Sequence, residues 1–319
     1  MQSDRKQRIK VILAFAAVYI IWGTTYLFIR LAVDTMPALL MAGSRFIFAS
    51  IIIYLYLRAR GVASPQRSHW PAGIIAGTLR LAGGSGLVHW AEQTVPIGTA
   101  AMVIATVPLF ITFFDWLIYR NSWPGKKGIT GLLLGFIGII LLIGPDQIAG
   151  TSSFSWTAML ILLLAPIFWS IGSLYSRQAN LPDNIFMAAA MELFAGGIVL
   201  LMAGLLTGEA ARFDLAAISP LSWLSFLYLT FFGSIIAFTA YTYLLKTVIA
   251  AKAATYSYVN PVIAVFLGVL ILGESLTPTM IAAMVIIVVA VILITSRQSS
   301  QQPESGPISK QPSGRSEFN

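Results

Sequence analysis

The sequence predicts an all-α integral membrane protein of ten transmembrane helices, arranged as two inverted five-helix repeats. Three observations lead to this fold class: a composition poor in charge, ten apolar segments of spanning length, and an internal repeat. Hydrophobic residues make up 57% of the 319 residues and charged residues only 10%, whereas soluble domains carry about 25% charged residues. A chain this poor in charge cannot cover a water-facing surface, which excludes a soluble globular domain.

The chain contains no cysteine and has a formal net charge of +8. Without cysteine it has no disulfide framework, no thiolate nucleophile and no thiolate metal site. A positive balance also occurs in nucleic-acid-binding proteins, but in a membrane protein it more often reflects basic residues kept on the cytoplasmic side. Since the sequence shows no soluble module for nucleic acid, we expect the partners to be the lipid bilayer and a small-molecule substrate. The oligomeric state is not readable.

Ten segments are apolar enough to cross a bilayer, which takes about 20 residues for about 30 Å of hydrocarbon. Lipid offers backbone groups no hydrogen-bond partner, so all ten should be helices. Prolines and glycines mark most of the breaks between them. The predicted spans are 11–29, 37–57, 71–92, 97–119, 128–144, 155–176, 185–206, 221–245, 252–273 and 278–295.

These spans divide the chain into four parts. A short N-terminal tail, 1–10, precedes a first five-helix unit, 11–150, and a second unit, 151–296. The last part, 297–319, is rich in Ser, Gln, Pro and Gly, a composition typical of a disordered tail.

The basic residues predict the orientation. With the N-terminus in the cytoplasm, 16 of the 20 Lys and Arg residues fall on the cytoplasmic side. Only Arg30 and Arg212 fall outside, while Arg45 and Arg80 lie within spans. This bias predicts that both termini are cytoplasmic, and we expect the protein in a bacterial inner membrane.

An internal repeat relates the two halves. Trp, Leu, Arg and Ala recur at the same offsets in 22–32 and 169–179, and two further pairs of segments match in the same order, at spacings of 147, 146 and 153 residues. The pairs are WGTTYLFIRLA with WSIGSLYSRQA, MAGSRFIFAS with MAAAMELFAG, and TVPIGTAAMVIATVPLF with TVIAAKAATYSYVNPVI. Because each half has five spans, the halves must have opposite orientations. Inverted repeats are typical of secondary transporters, with the substrate site near the midplane.

The same segments resemble a known family. WAEQTVPIGTAAMVIATVPLF (90–110), KTVIAAKAATYSYVNPVIAVFLGVLILGE (246–274) and the GESLT that leads into the last span are similar to the EamA-type branch of the drug/metabolite transporter superfamily. The resemblance covers about residues 10–296. It implies a carrier of small metabolites, amino acids, pigments or drugs, often directed outward, and says little about the substrate.

Arg80 lies near the middle of the third predicted span, where an arginine facing lipid would cost about 2.5–3.5 kcal/mol on insertion scales. We therefore expect it to face the bundle interior or a water-filled cavity. Two roles are open. In the first, Arg80 anchors an anionic or carboxylate-bearing substrate, since guanidinium suits carboxylate geometry. In the second, Arg80 forms a structural ion pair with Glu192.

Glu192 lies well inside the seventh predicted span, and the duplicated neighbourhood of the first half holds Arg45. The hypothesis is that these mirror-related positions contribute opposite charges to one cavity. Carboxylates inside membranes also serve as proton relays. The candidates for proton coupling are Glu192, Glu92 and Asp115, although Asp115 is more simply an interfacial residue.

His89 and Glu92 share a helix face near the outer end of the third span. Their spacing can serve a metal. However, the only other histidine, His69, lies in a loop on the predicted cytoplasmic side, so we expect no metal site and no cofactor. Both side chains are instead expected to line the outer mouth or to reach interfacial water.

Two tryptophans, Trp22 and Trp169, occupy matching positions deep in the first and sixth spans. Deep indole N–H groups need a polar partner, and a cavity that holds ligand or water supplies one. Other aromatic and polar residues extend this group. The candidate substrate-binding residues are Trp22, Tyr26, Arg45, Arg80, Trp90, Trp169, Ser173, Glu192, Tyr241, Tyr256 and Asn260.

Two prolines, Pro108 and Pro261, sit inside the fourth and ninth spans at matching positions. Proline frees backbone groups that a cavity or a polar neighbour can satisfy. We expect symmetric helix kinks that permit rocking of the two halves.

Together these features favour a secondary transporter of amino-acid-like or aromatic metabolites or drugs, exporting rather than importing, by alternating access. An uptake or exchange carrier is the main alternative. A channel and a membrane-embedded enzyme are less favoured, the enzyme because the sequence offers no nucleophile–base pair and no phosphate-binding loop. We therefore expect that the protein is not an enzyme.

Overall fold

A computed structural model describes residues 2–119, 125–143 and 155–298 of the chain. Over these residues the protein is built of helices and turns, with no β-strand. The predicted all-α class is therefore confirmed for the described part of the chain. The tail predicted to be disordered is 297–319, and its residues 299–319 lie outside the described part of the chain.

The described residues of the first half form seven α-helices. The long first helix takes in nearly all of the predicted N-terminal tail, because it begins at Gln2. In the third predicted span, α3, a π-helical stretch (Thr78–Gly86) and α4 follow one another without a break. Together they form one continuous helical rod, called here the third-span rod. The helices are α1 (Gln2–Val33), α2 (Ala38–Ala59), α3 (Trp70–Gly77), α4 (Leu87–Ala91), α5 (Ile97–Ile104), α6 (Val107–Tyr119) and α7 (Gly125–Ile143).

In the second half, residues 155–298 also form seven α-helices. A second π-helical stretch, Leu229–Phe238, joins α10 to α11. The helices are α8 (Trp156–Gln178), α9 (Ile185–Leu206), α10 (Pro220–Tyr228), α11 (Thr239–Thr247), α12 (Ala250–Ala253), α13 (Tyr256–Leu272) and α14 (Pro278–Gln298).

Seven helical segments of the described chain are long and apolar enough to cross a membrane. The rod that covers the third predicted span is not among them, and it carries Arg80 and His89. In the fifth and tenth predicted spans the apolar helices are shorter, Gly128–Gly138 and Pro278–Ala290. The count of ten spans therefore stays a prediction. The seven segments are Arg5–Val33, Ala38–Ala59, Ile97–Ile118, Trp156–Gln178, Ile185–Leu206, Pro220–Thr247 and Ala250–Leu272.

The two halves share the same helical irregularities in the same order. Each has a π-helical stretch in its third predicted span, Thr78–Gly86 and Leu229–Phe238. Each also has a two-residue interruption in its fourth, at 105–106 and at 254–255. This correspondence is what duplication of one five-helix unit would produce.

The two prolines predicted to kink helices follow these interruptions, Pro108 at two residues and Pro261 at six residues beyond them. Pro108 is the second residue of α6, a position where a missing backbone N–H leaves no intrahelical bond unmade. Pro261 lies inside α13. The symmetric feature of the two spans is the interruption itself, whereas the prolines occupy different positions relative to it.

Glycines allow the two halves to approach closely where the third span meets α9. A Cβ atom on Gly77 would lie 2.4 Å from the carbonyl oxygen of Glu192, and one on Gly196 would lie 2.7 Å from the carbonyl oxygen of Gly77. Small residues at helix crossings are the usual means of close packing in membranes. This contact brings Arg80, one turn beyond Gly77, close to Glu192.

Two carboxylates of the second half cap helices of the first half. Leu39 and Leu40, at the start of α2, donate their backbone N–H groups to the Glu209 carboxylate at 2.9–3.2 Å. Ile97 and Gly98, at the start of α5, donate to Glu274 at 2.8 and 3.3 Å. Both helices begin after a proline that offers no side-chain cap. Negative charge is stabilised at helix N-termini, so these contacts connect the halves at one end of the bundle.

Candidate functional site

A cavity of about 80 Å³ lies between the two halves of the bundle. Its wall comes from α1, α2, the third-span rod and α5 on one side and from α8, the second π-helical stretch and α13 on the other. Most lining side chains are aromatic or aliphatic. The lining residues are Trp22, Thr25, Tyr26, Ile29, Arg45, Phe46, Leu81, Gly84, Ser85, Val88, Ile104, Trp169, Gly233, Phe238, Tyr256 and Asn260.

The structure brings some of the predicted site residues together at this cavity and leaves others outside it. Six line it: Trp22, Tyr26, Arg45, Trp169, Tyr256 and Asn260. Five do not: Arg80, Trp90, Ser173, Glu192 and Tyr241. Of these five, all but Trp90 are buried, and several form a second layer behind the lining.

The matching tryptophans of the two halves meet beside the cavity. The ring centroids of Trp22 and Trp169 lie 5.4 Å apart at an interplanar angle of 81°. Trp22 also packs against Tyr241 at 5.1 Å and Tyr256 at 4.9 Å. Edge-to-face arrangements of this kind add about 0.5–1.5 kcal/mol to the burial of the rings.

The polar groups of these rings are satisfied within the protein. Trp22 donates its indole N–H to the carbonyl oxygen of Gly233 at 3.3 Å. Trp169 donates to the Tyr241 hydroxyl at 3.4 Å, and that hydroxyl donates to Ser173 at 3.2 Å. Because the indole N–H groups already have partners, the two tryptophans offer the cavity mainly their ring carbons.

Arg80 and Glu192 form a fully buried ion pair outside the cavity wall. Glu192 also accepts a hydrogen bond from the Ser176 hydroxyl at 2.6 Å, and Arg80 reaches Thr242 at 3.3 Å. The guanidinium carbon of Arg80 lies 4.4 Å from the ring centroid of Phe238, a residue of the cavity wall. Two roles were open for Arg80, substrate anchor and partner in an ion pair, and the ion pair with Glu192 is present in the structure.

Arg45 lines the cavity, and its side chain is held by neutral acceptors. Its Nη1 donates to the carbonyl oxygen of Leu229 and to Ser234 Oγ, both at 3.1 Å. Its Nη2 lies 2.8 Å from Nε2 of His89. Among the described residues no carboxylate lies within 4 Å of this guanidinium, since the ion pair found there is the one between Arg80 and Glu192.

His89 takes part in this network rather than facing water, so the expectation that it reaches the outer mouth was wrong. Its Nδ1 lies 2.6 Å from the carbonyl oxygen of Ser85, one turn earlier in the same rod. Nδ1 therefore carries the proton, and Nε2 accepts from Arg45. A neutral imidazole in this tautomer fixes the orientation of the arginine.

Glu92 is also completely buried, which corrects the expectation of a hydrated carboxylate. Neither carboxylate oxygen has a hydrogen-bond partner among the described residues. The end of α1 covers this position, because Arg30 donates to the backbone carbonyls of Glu92 and Gln93 at 3.1 and 2.8 Å. The sequence of one helix does not show which other helix covers its end.

Asp115 lies on α6, partly exposed and away from the cavity wall. Several lining residues were not predicted from the sequence, among them Thr25, Phe46 and Phe238. Leu229 and Ser234, which accept hydrogen bonds from Arg45, were not predicted either. A buried arginine requires hydrogen-bond acceptors. The sequence does not show which residues supply them, because these two lie 184 and 189 positions further along the chain.

The model of the EamA-like transporter family matches the chain twice, over residues 9–144 and 156–296. Each match takes in one half of the chain. A solved crystal structure aligns with a TM-score of 0.66 at 21% identity and covers 92% of this chain and 99% of that chain. At that identity the likeness shows the fold alone.

Curated relatives carry transporter names. The uncharacterized inner membrane transporter YedA of Escherichia coli (strain K12) is 42% identical over 266 residues, which cover 83% of each chain. The uncharacterized transporter YoaV of Bacillus subtilis (strain 168) is 25% identical over 279 residues, which cover 86% of this chain and 92% of that one. With a family model that matches both halves and apolar helices of spanning length, the chain belongs to the EamA-like transporters of the drug/metabolite transporter superfamily.

Proposed function

We propose that the chain is a secondary transporter that exports small metabolites, amino-acid-like or aromatic compounds or drugs, and that it is not an enzyme. The observation that carries the proposal is the cavity between the halves, lined from both of them. In transporters built from inverted repeats the substrate site lies at such an interface, and alternating access follows from rocking of one repeat against the other.

The proposal includes ten membrane spans, in two inverted five-helix units of about residues 11–150 and 151–296, with both termini in the cytoplasm. Support comes from the 16 basic residues on the predicted inner side and from the matching irregularities of the two halves. In this proposal, the helices of the third, fifth and tenth predicted spans cross the membrane in addition to the seven segments of spanning length.

Of the carboxylates considered for proton coupling, we favour Glu92. Both oxygens of Glu192 are occupied, by Arg80 and by Ser176, whereas neither oxygen of Glu92 has a partner among the described residues. The charged groups that act on Glu92 are Arg30, Arg45 and Glu274. A buried carboxylate without an ion-pair partner is suited to alternate between protonated and charged forms as substrate moves.

The experiment that tests the function is a metabolite profile of the culture medium from cells that overexpress the protein, compared with cells that lack it. Export predicts one or a few small compounds enriched outside the expressing cells. Depletion of a compound from the medium would instead indicate uptake. An unchanged medium, together with no saturable flux in liposomes, would contradict the transporter proposal.

A further inference from the structure

The two arginines inside the bundle differ in how their charge is neutralised. Arg80 is paired with Glu192 and does not line the cavity. Arg45 lines the cavity and is 4% exposed. It is the one charged side chain in the described cavity wall, and no carboxylate is paired with it there. A buried charge without a counter-charge is unfavourable, so this cavity is prepared for a negative group.

The guanidinium of Arg45 is oriented before any ligand arrives. Leu229 and Ser234, from the second half, hold Nη1, while His89 holds Nη2. All three partners are neutral acceptors, and they leave the positive charge in place. The Nε–H group has no hydrogen-bond partner among the described residues. This Nε atom is itself buried, so the side chain is held in one position with one donor unpaired.

The surroundings of Arg45 restrict the rest of the ligand. Aromatic rings from both halves, Trp22 and Trp169 among them, line the remaining wall. Asn260, with its amide nitrogen turned towards the carbonyls of Tyr19 and Tyr256 at 3.1 Å each, keeps its oxygen as an acceptor. These ring faces favour a flat apolar body, and a cavity of about 80 Å³ favours a small one.

We infer that Arg45 is the anchor for the carboxylate of a small organic acid with an aromatic or otherwise flat apolar body. This inference rests on the proposed transporter function and names its substrate class. Guanidinium binds carboxylates through charge-assisted hydrogen bonds, which are about twice as strong as neutral ones. Glu92 acts on Arg45 electrostatically but forms no ion pair or hydrogen bond with it among the described residues. A ligand carboxylate supplies the contacting counter-charge that Arg45 lacks, and a neutral or cationic analogue does not.

The test uses the purified full-length protein in lipid nanodiscs and a series of matched probes. The series pairs benzoate with benzamide, phenylacetate with phenylacetamide, and adds phenethylamine as a cation. Calorimetric titration gives the affinity, and thermal unfolding gives an independent measure. At least one carboxylate should bind about tenfold or more tightly than its amide, and the amine should not bind. Equal binding of acid and amide, or binding of no carboxylate in the series, would overturn the inference.

Variants assign the effect to Arg45. Arg45→Gln should weaken carboxylate binding about tenfold or more and narrow the gap between acid and amide. Arg45→Lys, which keeps the charge but not the fork of donors, should recover part of the affinity. Arg177→Gln removes an exposed arginine and serves as the control for net charge. Loss of binding in Arg80→Gln/Glu192→Gln, with full binding in Arg45→Gln, would place the anchor at Arg80 and overturn the inference.

The inference and the transporter function can fail separately. If proteoliposomes carry a neutral or cationic compound through a saturable route and no carboxylate, the substrate class is wrong and the function stands. If no compound crosses through the protein, the function itself fails. Because the probe series is measured on the unaltered protein, misfolding of a variant does not remove the test.

Discussion

Trp22 and Trp169 lie edge to face with their ring centroids 5.4 Å apart, although 147 residues separate them in the chain. Each is the deep tryptophan of the first span in its half. Equivalent positions of a duplicated unit therefore meet at the cavity. The contact places the wall of the cavity on the boundary between the halves, where a relative movement of the two would change its shape.

Removal of this aromatic contact should destabilise the bundle. Trp22→Ala deletes a ring that packs on Trp169, Tyr241 and Tyr256, and comparable deletions cost about 3–5 kcal/mol. We expect a clear fall in the unfolding midpoint in mixed micelles and a smaller one for Trp22→Phe. Trp156→Ala, at a position that is 40% exposed, is the control. Equal losses in Trp22→Ala and Trp156→Ala would argue against a structural centre at Trp22.

The ion pair of Arg80 and Glu192 should show strong coupling. Glu192→Gln leaves the arginine buried without a counter-charge, which costs about 3–5 kcal/mol in comparable buried pairs. Arg80→Gln/Glu192→Gln removes both charges and should lose less than the sum of the single substitutions. Unfolding of the four proteins gives the coupling energy. Additive losses would mean that the pair is not a unit.

The carboxylate caps should hold the halves together at one end of the bundle. Glu209→Ala removes an acceptor of the Leu39 and Leu40 N–H groups, and we expect a loss of about 1–2 kcal/mol in unfolding free energy. Asp214→Ala removes an exposed carboxylate that caps only its own loop, through Ala216 N–H at 2.9 Å, and should cost less. An equal or larger loss in Asp214→Ala would contradict the capping role of Glu209.

Topology can be measured directly, because the chain contains no cysteine. Ser68 and Ser275 are both exposed and fall on opposite sides in the predicted orientation. In intact cells, an impermeant maleimide should label Ser275→Cys and should spare Ser68→Cys until the cells are opened. The reverse pattern would place the termini outside, and labelling of both from one side would contradict an odd number of spans between them.

Glu92 should determine how transport depends on protons. Glu92→Gln removes the titrating group, so flux should no longer be driven by a pH gradient, while exchange of substrate for substrate continues. Asp183→Asn changes an exposed carboxylate and should leave the response to the gradient intact. Liposome assays with an imposed gradient measure both. A full response of Glu92→Gln would exclude proton carriage by this residue.

The apolar pattern of single segments predicted the all-α class, and the comparison of two segments pointed to Trp22 and Trp169, which the structure places at the cavity. The environments of Arg45, His89 and Glu92 were not accessible in this way. Arg45 takes its acceptors from Leu229 and Ser234 in the other half, and Arg30 covers the carbonyl of Glu92. Such contacts depend on how helices are placed around one another, which the apolar pattern leaves open.

Counterflow in proteoliposomes tests the central claim, that the cavity between the halves carries substrate, most directly. Vesicles with the purified protein are loaded with an excess of the carboxylate that binds best, and the labelled compound is added outside. We expect transient, saturable accumulation of label without ATP, and a rate at least about tenfold slower with Arg45→Gln at equal protein content. Flux that does not saturate, or equal flux with and without Arg45, would contradict it.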